Sequence, residues 1–420
     1  MDGKWQIGSL LGIPLYLDPS WFLILGLVTL VNAEDINGQG LAGDWLWLGW
    51  IAGLIMALLL FVSVLLHELG HSLMARSQGI TVNSITLFLF GGVAAIERES
   101  KTPAGAFWVA IAGPLVSFSL SALFFSLIYG LSSLHLFSGM SGNFSKIPQL
   151  LIYMMVDLAR INLVLGIFNL IPGLPLDGGQ VLKAIVWKLK GDRLTGVRWA
   201  AASGKLVGWF GICLGLFFIL LTGSLSGLWL VLVGWFIRRN ADNYDRITEL
   251  QQSLLNIQAS QVMTREFRVV NARLSLAQFA QEYILRESYD PMVYFAASEG
   301  RYRGLIQIRD LQTIERSAWD KITLWDIAYS LQDIPSVEEK TPLFKVIEQL
   351  EAVSERYLTV LSPAGAVAGI IDRGDVVRAI ADYNKLPIPE SEIKRVKTEG
   401  TYPNYLPLVA IAKTLEQESD

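Results

Sequence analysis

Five consecutive residues at the end of a long apolar segment have the types and spacing of a zinc site. His67 and His71 stand four positions apart, so a helix presents both imidazoles on one face, where they can bind a single zinc ion. Glu68 lies beside them and can act as a general base towards water. Ionisable side chains are costly in hydrocarbon, so three of them in five residues of an apolar helix indicate catalysis.

A second polar segment offers the third ligand that a catalytic zinc needs. The residues from Asn169 to Gly179 read Asn-Leu-Ile-Pro-Gly-Leu-Pro-Leu-Asp-Gly-Gly and end another apolar segment. The distribution of positive charge predicts that both segments run inward, which brings Asp177 to the same membrane depth as His71. Two imidazoles and one carboxylate leave one position of the metal for water.

The composition indicates a membrane protein. Of the 420 residues, 52% are hydrophobic and 17% are charged, whereas an ordinary soluble protein has about 25% charged residues. The net charge of -4 is small, and the basic residues cluster in loops beside apolar segments. Because they form no continuous basic stripe, no nucleic-acid partner is predicted.

Apolar segments long enough to cross a lipid bilayer occur about six times in the first 240 residues. They lie at approximately 19–33, 46–76, 104–130, 149–171, 203–222 and 225–237. Lys and Arg concentrate in the loops of one side, so both termini are predicted to be cytoplasmic. The start of the chain lacks the features of a cleaved leader, and the compact loops favour a bacterial inner membrane or a related internal membrane.

A short β-hairpin is predicted between the second and third apolar segments. Residues 84–97 read as two apolar strands around the pair Gly91-Gly92. An open strand edge in an apolar setting needs a backbone partner, and a substrate strand could be that partner.

The chain becomes a mixed polar sequence after Arg239, which predicts a second, soluble region starting near residue 245. Two stretches of it share the order helix, strand and a closing Gly-x-x-x-x-x-Asp, which ends at Asp310 in one and at Asp375 in the other. This order indicates an internal repeat of roughly 60 residues. Residues 386–420 contain prolines and mixed charge and are expected to form an extended or loosely packed tail.

The first 240 residues resemble the site-2 protease family of intramembrane zinc metalloproteases. The resemblance rests on the HELGH motif at 67–71, the N-x-x-P-x-x-P-x-D-G arrangement at 169–178, and the glycine pair at 91–92. It implies one zinc ion per chain, bound by the two histidines and the aspartate, with Glu68 as the catalytic base. It also implies that Asn169 is a polar partner near the substrate carbonyl; the alternative is that Asn169 caps the end of its helix.

The soluble half resembles a pair of CBS modules. In these modules the closing aspartate often contacts the ribose of an adenine nucleotide, so Asp310 and Asp375 are predicted to contact such a ligand. The family commonly has Ser or Thr three residues earlier, whereas Gln307 and Asp372 stand there in this chain. A purely structural or dimerising role is therefore the alternative, and a homodimer is expected because such pairs often associate.

The predicted fold is a polytopic α-helical membrane protein, with about six transmembrane helices and a short β-hairpin, followed by a soluble α/β tandem CBS pair. The predicted domains are a transmembrane zinc metalloprotease domain, two CBS modules and a C-terminal tail, at 1–240, 245–318, 319–385 and 386–420.

The leading functional hypothesis is an intramembrane zinc metalloendopeptidase that cuts a membrane-protein substrate with a transmembrane helix, in regulated intramembrane proteolysis. Its CBS pair would adjust activity. The alternative is a nucleotide-gated transporter or channel, since CBS pairs also attach to such proteins. Transport would call for repeat symmetry or a polar pathway through several spans, whereas the dense polar cluster here is ligand-like and lies at one membrane face. A catalytically inactive relative is a third class, but all three ligands and the base are present.

Overall fold

The chain forms two compact units, residues Met1–Arg246 and Ile247–Asp420. The computed structural model describes residues 4–42, 45–89, 91–133, 146–223, 225, 227–285, 293–353 and 356–419.

Long helices dominate the first unit. They are α1 Ser20–Gly38, α2 Leu46–Ser77, α3 Pro103–Ser133, α4 Lys146–Asn169, α5 Asp177–Lys190, α6 Arg193–Thr222 and α7 Gly227–Asn256, whose last residues belong to the second unit. Within the described residues, four helices are long and apolar enough to cross a membrane: Leu46–Ser77, Pro103–Leu131, Ile147–Asn169 and Arg193–Thr222. They correspond to four of the six predicted spans, and the count of six stays a prediction.

A four-stranded sheet lies beside the helices of the first unit. Its strands are β1 Trp5–Leu10, β2 Ile13–Leu17, β3 Val82–Phe88 and β4 Gly91–Ile96, in the order β1-β2-β3-β4. The antiparallel β3–β4 pair is the hairpin that the sequence predicted, while Phe90 lies outside the described residues. The N-terminal hairpin β1–β2 was not predicted; it joins through a parallel β2–β3 pair, and Ile13 and Ile85 are fully buried there. This arrangement leaves β4 at the edge of the sheet.

The described residues of the second unit form two sheets of three strands each. Its strands are β5 Phe267–Asn271, β6 Val293–Ser298, β7 Arg301–Ile306, β8 Ser336–Glu338, β9 Tyr357–Leu361 and β10 Val367–Asp372. Its helices are α8 Ala259–Val262, α9 Leu276–Phe279, α10 Ile308–Leu311, α11 Leu324–Ile327, α12 Leu343–Ala352, α13 Arg373–Asn384, α14 Glu390–Glu399 and α15 Leu408–Ser419. In both sheets a parallel pair is followed by an antiparallel hairpin, as β5-β6-β7 and β8-β9-β10, so the repeat inferred from the sequence has the same topology twice.

The C-terminal tail is not loosely packed, contrary to the sequence-based expectation. It forms α14 and α15, whose apolar residues recur at helical spacing and enter the main core of the second unit. Val396 and Leu408 are completely buried there. Pro389 and Pro407 stand immediately before or at the start of the two helices, where proline is tolerated, rather than within them. The prolines of the tail therefore do not indicate extended structure, and the prediction based on them is wrong.

Candidate metal centre

The three predicted ligands converge, although two different helices carry them. His67 and His71 lie one turn apart in α2, and Asp177 is the first residue of α5. Oδ2 of Asp177 lies 3.0 Å from Nε2 of His67 and 3.2 Å from Nε2 of His71. The two Nε2 atoms are 3.3 Å apart, and both histidines are buried.

These separations fit a zinc ion. With zinc–ligand bonds of about 2.0–2.1 Å, the ligand atoms of a tetrahedral site stand about 3.3 Å apart. Gly113 of α3 adds an independent observation, because a Cβ built there would lie 2.2 Å from Nε2 of His71 and 2.7 Å from Nε2 of His67. A side chain at position 113 would therefore collide with both imidazole rings, and only glycine lets α3 pack this closely against them.

Helix α3 orients both imidazole rings. Nδ1 of His71 lies 2.7 Å from the carbonyl oxygen of Val109, and because a carbonyl only accepts, Nδ1 carries the proton and Nε2 keeps a lone pair for a metal. Nδ1 of His67 lies 2.9 Å from Oγ of Ser117, which is fully buried. With Nε2 of His67 as a ligand, its Nδ1–H donates to this hydroxyl.

The loop before α5 aims Asp177 at the histidines. Leu174 of this loop is fully buried, and its N–H donates to the carbonyl of Ala200 in α6 at 3.0 Å. A Cβ on Gly178 would lie 2.2 Å from the carbonyl oxygen of Leu170. Only glycine therefore allows α5 to begin so close to the end of the preceding loop.

Glu68 and Asn169, the two predicted catalytic residues, also lie at this metal centre. Glu68 packs against the edge strand, since a Cβ on Gly92 of β4 would lie 2.4 Å from Cγ of Glu68. Asn169 is the last residue of α4, and its Nδ2 lies 3.4 Å from Nε2 of His67. The structure thus brings together all five residues that the sequence singled out in the membrane half.

A charged cluster outside the apolar spans ties α5 to the segment that follows β4. Nζ of the buried Lys183 and Nη1 of Arg193 each lie 2.9 Å from Oε2 of Glu99. Burial alone would raise the pKa of Glu99, but the charges of Lys183 and Arg193 outweigh it and hold the pKa at about 2. The cluster therefore links the helix that carries Asp177 to the hairpin.

The two aspartates predicted to contact a nucleotide have different surroundings. Asp310 lies in α10, half-buried, beside Arg309, which lines a cavity of about 330 Å³. Asp375 is buried in the first turn of α13, where its N–H donates to the Asp372 carboxylate at 2.9 Å. Its Oδ1 lies 2.9 Å from Nζ of Lys397.

Sequence reasoning missed Gly113, Ser117 and the Glu99 cluster. A signal existed for the first two: they stand four residues apart in an apolar segment, so a helix places a small residue and a hydroxyl on one face. Buried polar residues in such segments are functional candidates. The Glu99 cluster joins parts of the chain that are far apart in sequence, and no local pattern announces it.

Comparison with known proteins agrees with this geometry. The model of peptidase family M50 matches residues 55–156 and 145–203, which include the five residues of the centre. The "Putative zinc metalloprotease sll0528" of Synechocystis is 37% identical over 386 residues, which make up 90% of this chain and 96% of the relative. The chain belongs to peptidase family M50.

Further similarities extend over most of this M50 peptidase. "Zinc metalloprotease MJ0392" of Methanocaldococcus jannaschii is 30% identical over 382 residues, 91% of this chain and 97% of the relative. The solved structure "Site-2 Protease from Methanocaldococcus jannaschii" is 31% identical and covers 58% of this chain and 95% of its own, with a TM-score of 0.40. The CBS domain model matches residues 326–382.

Membership of the M50 family confirms the predicted zinc metalloprotease of site-2 protease type and decides against the transporter alternative. With its four long apolar helices, this M50 peptidase is an integral membrane protein. The CBS prediction is confirmed for residues 326–382, while the first module, at 245–318, stays a prediction.

Proposed function

We propose that this M50 peptidase hydrolyses peptide bonds within or near transmembrane segments of membrane proteins, as a step of regulated intramembrane proteolysis. The observation that carries the proposal is the convergence of His67, His71 and Asp177, whose ligand atoms all lie within 4.8 Å of one another at the end of an apolar helix. When bound there, zinc supplies Lewis-acid chemistry, which lowers the pKa of water and polarises a carbonyl.

Glu68 serves as the general base and then as the general acid. It follows the ligand His67 directly and packs against Gly92, so its side chain lies between the metal centre and the edge strand. Glu68 accepts the proton of the attacking water and passes it to the leaving amine. Positioned acid–base groups of this kind contribute about 10²–10⁴-fold to the rate.

The edge strand β4 receives the substrate. A transmembrane helix hides its carbonyls in its own hydrogen bonds, so the segment to be cut must first unwind and find new backbone partners. Within the described residues β4 pairs with β3 alone, which leaves its other edge for an added strand. A strand bound there passes Glu68, and the amide of Asn169 donates to the carbonyl that is attacked.

The centre lies near the cytoplasmic face of a bacterial inner membrane or a related internal membrane, with both chain termini in the cytoplasm. Support comes from the basic residues that follow the inward-running segments, among them Arg76 in the last turn of α2 and Lys188 and Lys190 in the last turn of α5. A site at this depth gives water access to the metal. The substrate is a membrane protein whose outer part another protease has trimmed.

The CBS pair adjusts activity by binding an adenine nucleotide, and it associates as a homodimer. Support for the ligand comes from the cavity of about 330 Å³ in the second unit. Tyr329 and Tyr357 contribute aromatic rings to its lining and Arg309 contributes a cation, groups that suit a heteroaromatic base and a phosphate.

The test compares the full-length protein with Glu68→Gln and, as a matched control, with Glu97→Gln, which changes an exposed glutamate just after β4. Zinc content and cleavage of a model transmembrane peptide are measured in proteoliposomes. Glu68→Gln is expected to keep one zinc ion and to lose cleavage by about 10²–10⁴-fold, while Glu97→Gln behaves as the wild type. Equal cleavage by all three forms would refute the proposed function.

A further inference from the structure

The second unit contains two equivalent clefts. Leu305 and Ile370 hold the same position in the hairpins β6–β7 and β9–β10, each one residue after a glycine of the repeat. Each residue forms an isolated antiparallel β-bridge with the segment that leads into the other module. Leu305 pairs with Tyr329, and Ile370 pairs with Thr264. The two modules therefore place equivalent residues around two related clefts.

The equivalent residues follow from this register. We call the site of Gln307, Asp310 and Asp333 the first cleft. Their counterparts, in the same order, are Asp372, Asp375 and Glu266, and we call their site the second cleft. The first cleft is open: Gln307 and Asp333 line the cavity of about 330 Å³ together with Leu305, Arg309, Tyr329 and Tyr357.

The second cleft holds a side chain of α14, the first of the two tail helices. Nζ of Lys397 lies 2.9 Å from Oδ1 of Asp375, 3.3 Å from Oδ2 of Asp372 and 3.3 Å from Oε2 of Glu266. These three carboxylates are the counterparts of the first-cleft residues. Val396, the neighbour of Lys397 in α14, is completely buried, so the helix that carries the lysine is anchored in the core.

One sequence difference between the modules makes room for this lysine. Arg309, which lines the first cleft, has Gly374 as its counterpart in the second. A Cβ on Gly374 would lie 2.3 Å from Cγ of Lys397 and 3.1 Å from the carbonyl oxygen of Ile393 in α14. Any larger residue at position 374 would therefore displace α14 from the cleft.

The carboxylates around Lys397 favour its charged form. Burial alone would lower the pKa of Lys397, but the close contact with Asp375 and the charges of Asp372, Asp375 and Glu266 outweigh it and raise the pKa above its usual value. The lysine therefore stays protonated, and three carboxylates that would otherwise repel one another share a cation.

We propose that Lys397 is an internal ligand of the second cleft, so that the CBS pair offers a small molecule from solution one site per chain, the first cleft. The number of nucleotide sites per chain rests on the nucleotide binding proposed above, whereas the occupation of the second cleft by Lys397 does not.

Amine acetylation of the full-length protein tests the occupation of the second cleft. Lys394 lies in the same helix and is exposed, which makes it the internal control. N-hydroxysuccinimidyl acetate reacts with the neutral amine, so Lys397 is expected to be acetylated about ten-fold or more slowly than Lys394, as read by mass spectrometry. Asp375→Asn should speed the reaction of Lys397, and Asp382→Asn, at an exposed position of α13, should not. Equal rates for both lysines in the wild type would overturn the proposal.

Titration with ATP tests the stoichiometry. The full-length protein in detergent is expected to bind one equivalent per chain, with the acetylation rate of Lys397 unchanged. Arg309→Ala should weaken this binding, and Arg378→Ala, which removes a surface pair with Glu390, should not. Two equivalents together with faster acetylation of Lys397 would overturn the proposal. If no ATP binds while Lys397 stays protected, the nucleotide part of the proposed function fails, and the occupied second cleft stands.

Discussion

Gly113 of α3 and His71 of α2 approach so closely that no side chain fits between them. A Cβ on Gly113 would lie 2.2 Å from Nε2 of His71, which is about the length of a zinc–nitrogen bond. The backbone of a third helix, which contributes no ligand, thus forms one wall of the metal centre.

Replacing Gly113 with alanine is expected to abolish zinc binding, because the added methyl group collides with both imidazole rings and displaces them from the metal centre. Zinc per purified chain, measured by mass spectrometry, should fall from one to near zero, and peptide cleavage should be lost with it. Gly130→Ala in the same helix is the control, since a Cβ there meets nothing within 4 Å. A Gly113→Ala protein that keeps a full complement of zinc would show that the metal lies elsewhere.

Ser117 is expected to set the zinc affinity through His67. Removing a hydrogen-bond partner of a metal-ligating histidine typically costs about 10–100-fold in metal affinity or activity. Ser117→Ala should therefore release zinc to a competing chelator at a correspondingly lower chelator concentration than the wild type. Ser119→Ala is the matched control, because its hydroxyl donates to the Leu115 carbonyl on the exposed side of the helix. Identical chelator curves for the two variants would contradict this role.

Gly92 is expected to matter for catalysis rather than for metal binding. A Cβ at this position of β4 would lie 2.4 Å from Cγ of Glu68, so Gly92→Ala displaces the general base and leaves the ligands in place. A displacement of about 1 Å can cost about 10²-fold in rate. Cleavage should fall by that order while zinc content stays unchanged. Glu97→Gln, at an exposed position just after β4, should cleave like the wild type, and unchanged cleavage by Gly92→Ala would contradict this role of the glycine.

The Glu99 cluster is expected to stabilise the protein only above acidic pH. The charges of Lys183 and Arg193 hold the pKa of Glu99 at about 2, below its ordinary value of 4.5. Since the folded-state pKa is lowered, the stabilisation is complete above about pH 4.5 and is lost as the pH falls towards about 2. The Tm difference between the wild type and Glu99→Gln should therefore shrink over that range.

The difference in Tm between the wild type and Glu99→Gln is used because both proteins also lose stability in acid through other titrating groups. Glu97→Gln serves as the control and should follow the wild type at every pH. A Tm difference for Glu99→Gln that stays constant down to about pH 3 would show that its charge does not stabilise the fold.

The sequence alone determined the residues of the metal centre. The spacing of His67 and His71 fixes their common face because a helix repeats every 3.6 residues, and this holds wherever the helix lies. The coordination preference of zinc then required a third ligand, and Asp177 was the acidic residue at the matching membrane depth. The lengths of the apolar segments predicted the four long apolar helices, because the thickness of the bilayer sets the length that any spanning helix needs.

Only the tertiary structure decided which groups support those residues. The contacts of Ser117 with His67, of Gly113 with the imidazoles and of Lys397 with Glu266 join positions far apart in the chain. Periodicity tells which face of a helix is apolar or small, but it does not tell which neighbour that face meets. The tail illustrates the same limit, because its apolar residues became recognisable as core only when the rest of the second unit supplied the surface against which they pack.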